Sequence, residues 1–352
     1  LVGSEMCIRD RARTVRGTVV AAMTRALRIL ALLLVYGLAQ AGAPDGGRCV
    51  APAKPGGGFD LTCQLTRDML RSAGGGRVPL QLVYQPGGIG ALAFKSTVNQ
   101  RPPDGKTVVA FSSGSLLNLA QHRFGPYSAG DVRWLAALGM DYGVVAVQRD
   151  SPYKTLGQLL DALRSNPAGM VFGAGGSIGS QDWMKAALLA RAAGVSHKVM
   201  RFVAFEGGGE ALSALSDNHV QVLAGDAAEV GRQIEQGAAV RVLAVLSDKR
   251  LGGRWSGTPT AREQGFDIQW PILRGLYMGP GVPERDYKEW ADALARAASH
   301  PAMARALARA GLERGWIAGP ALEHTVQQQL ARYRELASEF GLSPKEFPAP
   351  GK

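Results

Sequence analysis

Cys49-Val-Ala-Pro-Ala-Lys-Pro-Gly-Gly-Gly-Phe-Asp-Leu-Thr-Cys63 sets the architecture. Residues 49–53 read as a short apolar strand, and the glycines that follow break regular pairing. A helix is expected from Leu61, with Leu61, Leu65 and Met69 on one face. A strand that runs through a glycine turn into a helix is the unit of an α/β fold.

The same unit recurs along the chain. Residues 79–84 read as a second strand, followed by the turn Gln85-Pro86-Gly87-Gly88 and a helix over 91–99. A third strand, 107–111, ends in Ser112-Ser113-Gly114-Ser115. Apolar runs at 134–138 and 143–147 lead to a helix over 155–165, a strand at 170–174 and a helix over 180–193. A strand at 198–204 meets Phe205-Glu206-Gly207-Gly208-Gly209, which opens a helix to Leu215. The strand at 220–224 ends at Gly225-Asp226, and a helix at 230–236 and a strand at 240–246 follow. From Tyr287 the chain is rich in Ala and Arg and reads as almost wholly helical. This alternation predicts an α/β fold with mostly parallel sheets, and no repeat of the solenoid type is visible.

Composition narrows the function classes. The chain has 352 residues, which suggests two domains, and 46% hydrophobic against 20% charged residues excludes general disorder. Its 46 glycines follow no triplet period, so a collagen-like chain is excluded. Five histidines and three cysteines are too few and scattered for a zinc module, and no metal or cofactor is expected. Of the net charge of +11, residues 1–41 carry +4 from six arginines and two acids, leaving +7. That surplus forms no Lys/Arg run, so a nucleic-acid partner is not expected, and a mild excess suits an acidic small ligand.

Residues 1–41 read as a leader. Met23 opens a start, Arg25 and Arg28 supply positive charge, residues 29–39 are apolar, and Ala39-Gln40-Ala41 has the small-x-small cleavage pattern. The apolar run falls short of the roughly 20 residues a membrane span needs. Residues 1–22 are read as an artefact ahead of that start, 23–41 as a cleaved signal peptide, and the destination as the periplasm. Export leaves Cys49 and Cys63 as an even pair in an oxidising compartment, either bonded or two buried thiols.

Four loops carry the chemistry: 55–60, 112–115, 173–180 and 205–209. Each follows a strand and opens a helix, where free N–H groups and the positive dipole end favour anions. Each alone could be a turn with an N-cap; together they suggest a carboxylate trap. Gly175-Gly176-Ser177-Ile178-Gly179 also matches G-x-S-x-G, with Asp226 and His300 or His324 in triad order, so a secreted α/β serine hydrolase using Ser177 is the alternative. Gly88-Ile89-Gly90-Ala91-Leu92-Ala93 lacks the downstream acid that dinucleotide binding requires. Asp60 is placed to N-cap the first helix. Arg274, inside an apolar run, needs an anionic partner, either a protein acid or a bound acid. Lys54 is similarly ambiguous.

These motifs resemble the periplasmic receptor of tripartite tricarboxylate transporters, the citrate-binding member in particular. The resemblance rests on the stretch at 49–63 and on Tyr84-Gln-Pro-Gly-Gly-Ile-Gly-Ala91 and Val108-Val-Ala-Phe-Ser-Ser-Gly-Ser-Leu-Leu-Asn118. Gly173-Ala-Gly-Gly-Ser-Ile-Gly-Ser-Gln-Asp-Trp-Met184, Val203-Ala-Phe-Glu-Gly-Gly-Gly209 and Trp270-Pro-Ile-Leu-Arg-Gly275 continue it. It implies a periplasmic-binding-protein-like (Venus flytrap) fold of two α/β domains around a ligand cleft. It also implies a monomeric receptor, not an enzyme, that hands its ligand to a two-subunit membrane permease of the tripartite tricarboxylate type. The domains are expected at 42–148 with 250–352, and at 149–249. The ligand, citrate or a related carboxylate, is expected to meet backbone N–H groups of loops 55–60 and 173–180. The expected binding set is Lys54, Gly57, Gly58, Phe59, Asp60, Ser112, Ser113, Gly175, Ser177, Ser180, Gly207, Gly208, Asp226 and Arg274, with Cys49 and Cys63 joined in a disulfide.

Overall fold

The structure is a computed structural model and describes residues 46–74 and 80–342. The expected leader, 1–41, lies outside the described residues, as does Pro79 at the head of the second expected strand.

Strand β1 (Arg48–Ala51) leads through the glycine loop into helix α1 (Gly58–Ala73). Gly57 is the N-cap of α1 and Asp60 sits in its first turn, so the reading of Asp60 as the cap is corrected. The helix starts three residues earlier than its apolar face suggests, because the glycines accept helical geometry once Asp60 Oδ2 accepts from Gly56 N–H at 2.8 Å. Then come β2 (Gln81–Tyr84), α2 (Ala91–Asn99), β3 (Thr107–Ser112) and α3 (Ser113–Ala120). The two apolar runs after them form one strand, β4 (Arg133–Gln148). The second part holds α4 (Leu156–Ser165), β5 (Val171–Gly175), α5 (Gln181–Ala192), β6 (Arg201–Phe205) and α6 (Gly208–Ser216). It continues through β7 (Val222–Asp226), α7 (Ala227–Glu235) and β8 (Val240–Val245). The chain then forms β9 (Pro271–Met278), α8 (Glu284–Ser299), α9 (Met303–Ala310), β10 (Glu313–Ala318) and α10 (Pro320–Glu339).

The strands line up in the order β2-β1-β3-β9-β4-β7-β5-β6, with β8 and β10 also pairing β4. Residues 133–142 of β4 pair with β9, whereas 143–148 pair with β7 and β8. One long strand therefore belongs to two sheets. At the changeover Gly143 N–H donates to Trp270 O at 2.9 Å, Leu246 N–H to Gly143 O at 2.7 Å, and Trp270 N–H to Leu246 O at 2.8 Å. A Cβ on Gly143 would lie 2.9 Å from Leu246 and 3.1 Å from Trp270, so the crossing needs a glycine.

Two expectations are corrected. The β1–β2, β1–β3, β5–β6 and β5–β7 pairs are parallel, but β9 runs antiparallel to β3 and β4, and β7, β8 and β10 run antiparallel to β4. The sheet is mixed because β4 and β9 cross between the two parallel groups. The C-terminal region is also not wholly helical. The Glu313–Ala318 stretch has no apolar alternation, yet it becomes β10 by pairing with the exposed edge of β4.

Burial follows the layers. Helices α1, α8 and α9 cover one face of the first sheet around Leu65, Met69, Leu276 and the fully buried Trp290. Leu212, Leu215, Val230 and Trp255 fill one face of the second sheet. A third cluster joins Phe94, Phe111 and Trp134 to Phe172 and Trp183, and α10 adds Leu322, Val326 and Tyr333 to it. Helix α10 also reaches α5, through the ion pair of Arg191 with Glu339 at 2.8 Å.

Cys49 and Cys63 are bonded, with Cα atoms 5.6 Å apart, tying β1 to α1 beneath the first glycine loop. Closing a loop of this length contributes about 3 kcal/mol in the chain-entropy account. Replacing both cysteines by alanine should lower the unfolding free energy by about that amount. Denaturant titration checks this through the midpoint, and an unchanged midpoint would show that packing alone holds β1 on α1.

Candidate functional site

Helices α1, α3, α5, α6 and α7 all begin at one cleft. Its walls are Pro52, Gly57, Gly58, Phe59, Ser112, Gly114 and Asn118 on one side, and Gly175, Ser180, Gln181, Gly207, Gly208, Asp226 and Glu229 on the other. Three of these starts are capped by side chains. Ser112 Oγ accepts from Gly114 N–H at 3.2 Å at the head of α3, and Ser180 Oγ accepts from Trp183 N–H at 3.4 Å at the head of α5. At α7, Asp141 Oδ1 accepts from Ala228 N–H at 3.1 Å. Helices α1 and α6 start behind Gly57 and Gly207 without a side-chain cap. Two bare helix starts, one from each sheet, thus face the same buried space, and bare starts favour an anion.

Behind them lies a charged network. Arg274 on β9 is 1% exposed; its Nε and Nη2 donate to Asp141 Oδ2 at 3.0 and 2.5 Å, and Nη2 also donates to Asp226 Oδ2 at 2.9 Å. Lys185 on α5, fully buried, donates through Nζ to Asp226 Oδ1 at 2.6 Å and to Gly225 O at 2.7 Å, and pairs with Asp182 Oδ1 at 3.0 Å. Burial alone would raise the Asp226 carboxyl, but Lys185 and Arg274 together hold it below the ordinary range. The same carboxylates outweigh burial at Lys185 and Arg274 and keep both protonated. Gly58 sits against the Arg274 guanidinium so closely that a Cβ there would collide with Nη1. Glu229 stands apart, because burial, then Asp226 and Asp182, pushes its carboxyl up to about 8.

Of the residues expected from sequence, the cleft brings together Gly57, Gly58, Phe59, Ser112, Gly175, Ser180, Gly207, Gly208, Asp226 and Arg274. Four lie elsewhere. Lys54 is exposed and pairs with Glu210 at 2.7 Å, so its charge is answered outside the cleft. Asp60 spends its oxygens on Gly56 N–H, Gln64 and Tyr84, with Arg232 at 3.7 Å, and so shapes the loop from within. Ser113 Oγ donates to Gln329 at 2.9 Å and accepts from Leu273 N–H at 2.8 Å, in the contact with α10. Ser177 lies in an outer cavity of about 670 Å³ that shares Ile89, Asn118, Ser180 and Glu206 with the inner cleft.

The hydrolase alternative finds no support here. Ser177 Oγ accepts from Arg123, Asp226 is taken up by Lys185 and Arg274, and His300 lines a different cavity beside Pro301 and Trp316. Among the residues missed in the sequence are Asp141, Gln181, Asp182, Lys185 and Glu229. Asp141 had a readable signal, since it is the lone acid within β4. Asp182 and Lys185, three apart on α5, had another.

A mixed α/β chain whose two sheets share one strand beside such a cleft has the fold of the periplasmic binding proteins. The periplasmic binding protein BugD superposes with a TM-score of 0.75 at 19% identity, covering 85% of this chain and 98% of that one. MatC from Rhodopseudomonas palustris, solved with bound malate, superposes at 0.69 with 20% identity, over 83% and 99% of the two chains. A UPF0065 protein from the tcbD-tcbE intergenic region of Pseudomonas sp. (strain P51) is 25% identical over 84% of this chain and 87% of its own. The profile of the tripartite tricarboxylate transporter family receptor (TctC) matches residues 81–342, and the chain belongs to that family.

The network fixes what Arg274→Ala should do. Removing the guanidinium leaves Asp141 and Asp226 buried beside one another, a loss of about 3–5 kcal/mol in stability. The variant should unfold at markedly lower denaturant, and Asp141→Asn in the same chain should recover part of the loss. Wild-type stability in Arg274→Ala would mean that the two aspartates do not depend on it.

Proposed function

We propose that the chain is an exported receptor that captures a tricarboxylate, citrate foremost, and delivers it to a two-subunit membrane permease of the tripartite tricarboxylate type. The observation that carries this reading is the pair of bare helix starts, α1 and α6, facing each other across a buried cleft. A carboxylate there would receive N–H bonds from both sheets without needing a formal counter-charge. Family membership supports delivery to such a permease, and the leader pattern at 23–41 supports a periplasmic location.

The lobes proposed are 42–148 with 250–352, and 149–249, with the chain crossing over near Arg149 and returning near Arg250. The inner cleft encloses only about 80 Å³, well below the roughly 300 Å³ at which ligand sites begin. Entry therefore calls for the lobes to part and then close, as binding clefts between domains do.

Ligand choice falls outside the inner cleft. Arg274 is taken up by two protein carboxylates, so it positions the floor and leaves discrimination to other groups. Arg123, at the outer cavity, donates to the neutral oxygens of Ser177 and Ile178. A second or third ligand carboxylate reaching that cavity would exchange those contacts for a charge-assisted pair. A relative that holds malate supports the acid class and leaves citrate as the proposal.

A thermal-shift screen of citrate, malate, succinate, adipate and acetate tests the reading. An acid at 100 times its dissociation constant adds about 2.7 kcal/mol, which is several degrees of melting temperature for a chain of this size. Citrate should shift the melting temperature most, acetate not at all, and Arg123→Gln should erase the preference for citrate over succinate. A panel without any shift would contradict the receptor reading. An equal shift by citrate and succinate would contradict the tricarboxylate assignment.

A further inference from the structure

Glu229 sits on the cleft wall between the two bare helix starts. The residue is 6% exposed, and its Oε1 is buried without a hydrogen-bond partner among the described residues. A Cβ on Gly57 would lie 3.8 Å from Oε1, and one on Gly208 would lie 2.7 Å from Oε2. The carboxyl is therefore placed where an acid held by α1 and α6 would arrive. Every neighbouring aspartate has a cation bonded to it, Asp226 by Lys185 and Arg274, and Asp182 by Lys185.

The groups around Glu229 set its state. These are Asp226 at the head of its own helix, Arg232 within that helix, Asp182 from α5 and Arg274 from β9, while α6 faces it with Gly208 and Gly209. Arg232 is partly engaged by Asp60 and the carbonyls of Gly56 and Gly57. Arg274 is engaged by Asp141 and Asp226. An ionised Glu229 would add a bare charge to a cavity that already holds Asp226, and it would repel an incoming carboxylate.

We propose, on the reading of the site as a carboxylate trap, that Glu229 binds the ligand as a neutral carboxylic acid. It donates its O–H to the ligand carboxylate, so that the receptor holds the acid together with one proton. A protonated carboxyl has one donor and still accepts, which fits a buried oxygen that lacks a partner. The raised pKa of about 8 agrees with this state in the unliganded chain, and a bound carboxylate would raise it further. By linkage, proton and ligand then strengthen each other's binding equally.

Calorimetric titration of the full chain with citrate and with malate, across about pH 7 to 9.5, tests this; both acids are ionised throughout. Wild-type affinity should hold up to about pH 8 and then fall, toward tenfold per further pH unit once Glu229 must be reprotonated to bind. Glu229→Gln should bind with little change over the same range, because its amide donates a hydrogen bond without titrating. Binding with a flat wild-type profile, or a Glu229→Gln profile that falls as the wild type does, overturns the role of Glu229 alone. Failure of both acids to bind at any pH overturns the carboxylate reading beneath it. If Glu229→Gln does not fold, the wild-type profile decides.

Discussion

The Asp226 carboxylate, held between Lys185 and Arg274, is the interaction on which the rest of the site depends. Asp226 ends β7, Lys185 comes from α5, and Arg274 comes from β9 and also holds Asp141 on β4. Four elements from two sheets are thereby fixed at the base of one cleft. Ion pairs buried this deeply contribute little net stability when intact, but they are costly to break. Their value here is geometric. They settle where α5 and α7 begin, and so where the cleft walls stand.

That base also decides the electrostatics. Lys185 and Arg274 face Asp141, Asp182 and Asp226, so the buried network has no surplus positive charge to offer a ligand. Attraction for an acid must come from helix dipoles and free N–H groups, which is the role left to α1 and α6. A neutral Glu229 keeps this balance from tipping further negative. Glycines at 58 and 208 follow from the same constraint, because the backbone at the starts of α1 and α6 lies directly against buried charged side chains. At Gly58 a side chain would collide with Arg274, and at Gly208 with Glu229.

Much of this was legible in the sequence, because strand–glycine–helix units announce themselves locally. The helix over 91–99, the glycine loops and the pairing of Cys49 with Cys63 are all present as expected. What escaped depends on partners distant in the chain. β9 carries an arginine mid-strand, which makes sense only opposite Asp141 and Asp226, 133 and 48 residues away. β10 is a strand only because β4 offers an edge. Asp60 has the spacing of a cap only when the helix is counted from its apolar face, which begins three residues after the helix does. Lys54 looked like a ligand contact because Glu210, which pairs with it, lies 156 residues on.

A crystal structure of the chain with a bound organic acid tests the central claim most directly. The account predicts one ligand carboxylate in the inner cleft, about 2.9 Å from backbone N–H groups at the starts of both α1 and α6, with the Arg274–Asp226–Lys185 network unchanged beneath it. An acid bound elsewhere, or one that breaks Arg274 away from Asp141 and Asp226 to make its own salt bridge, would contradict it.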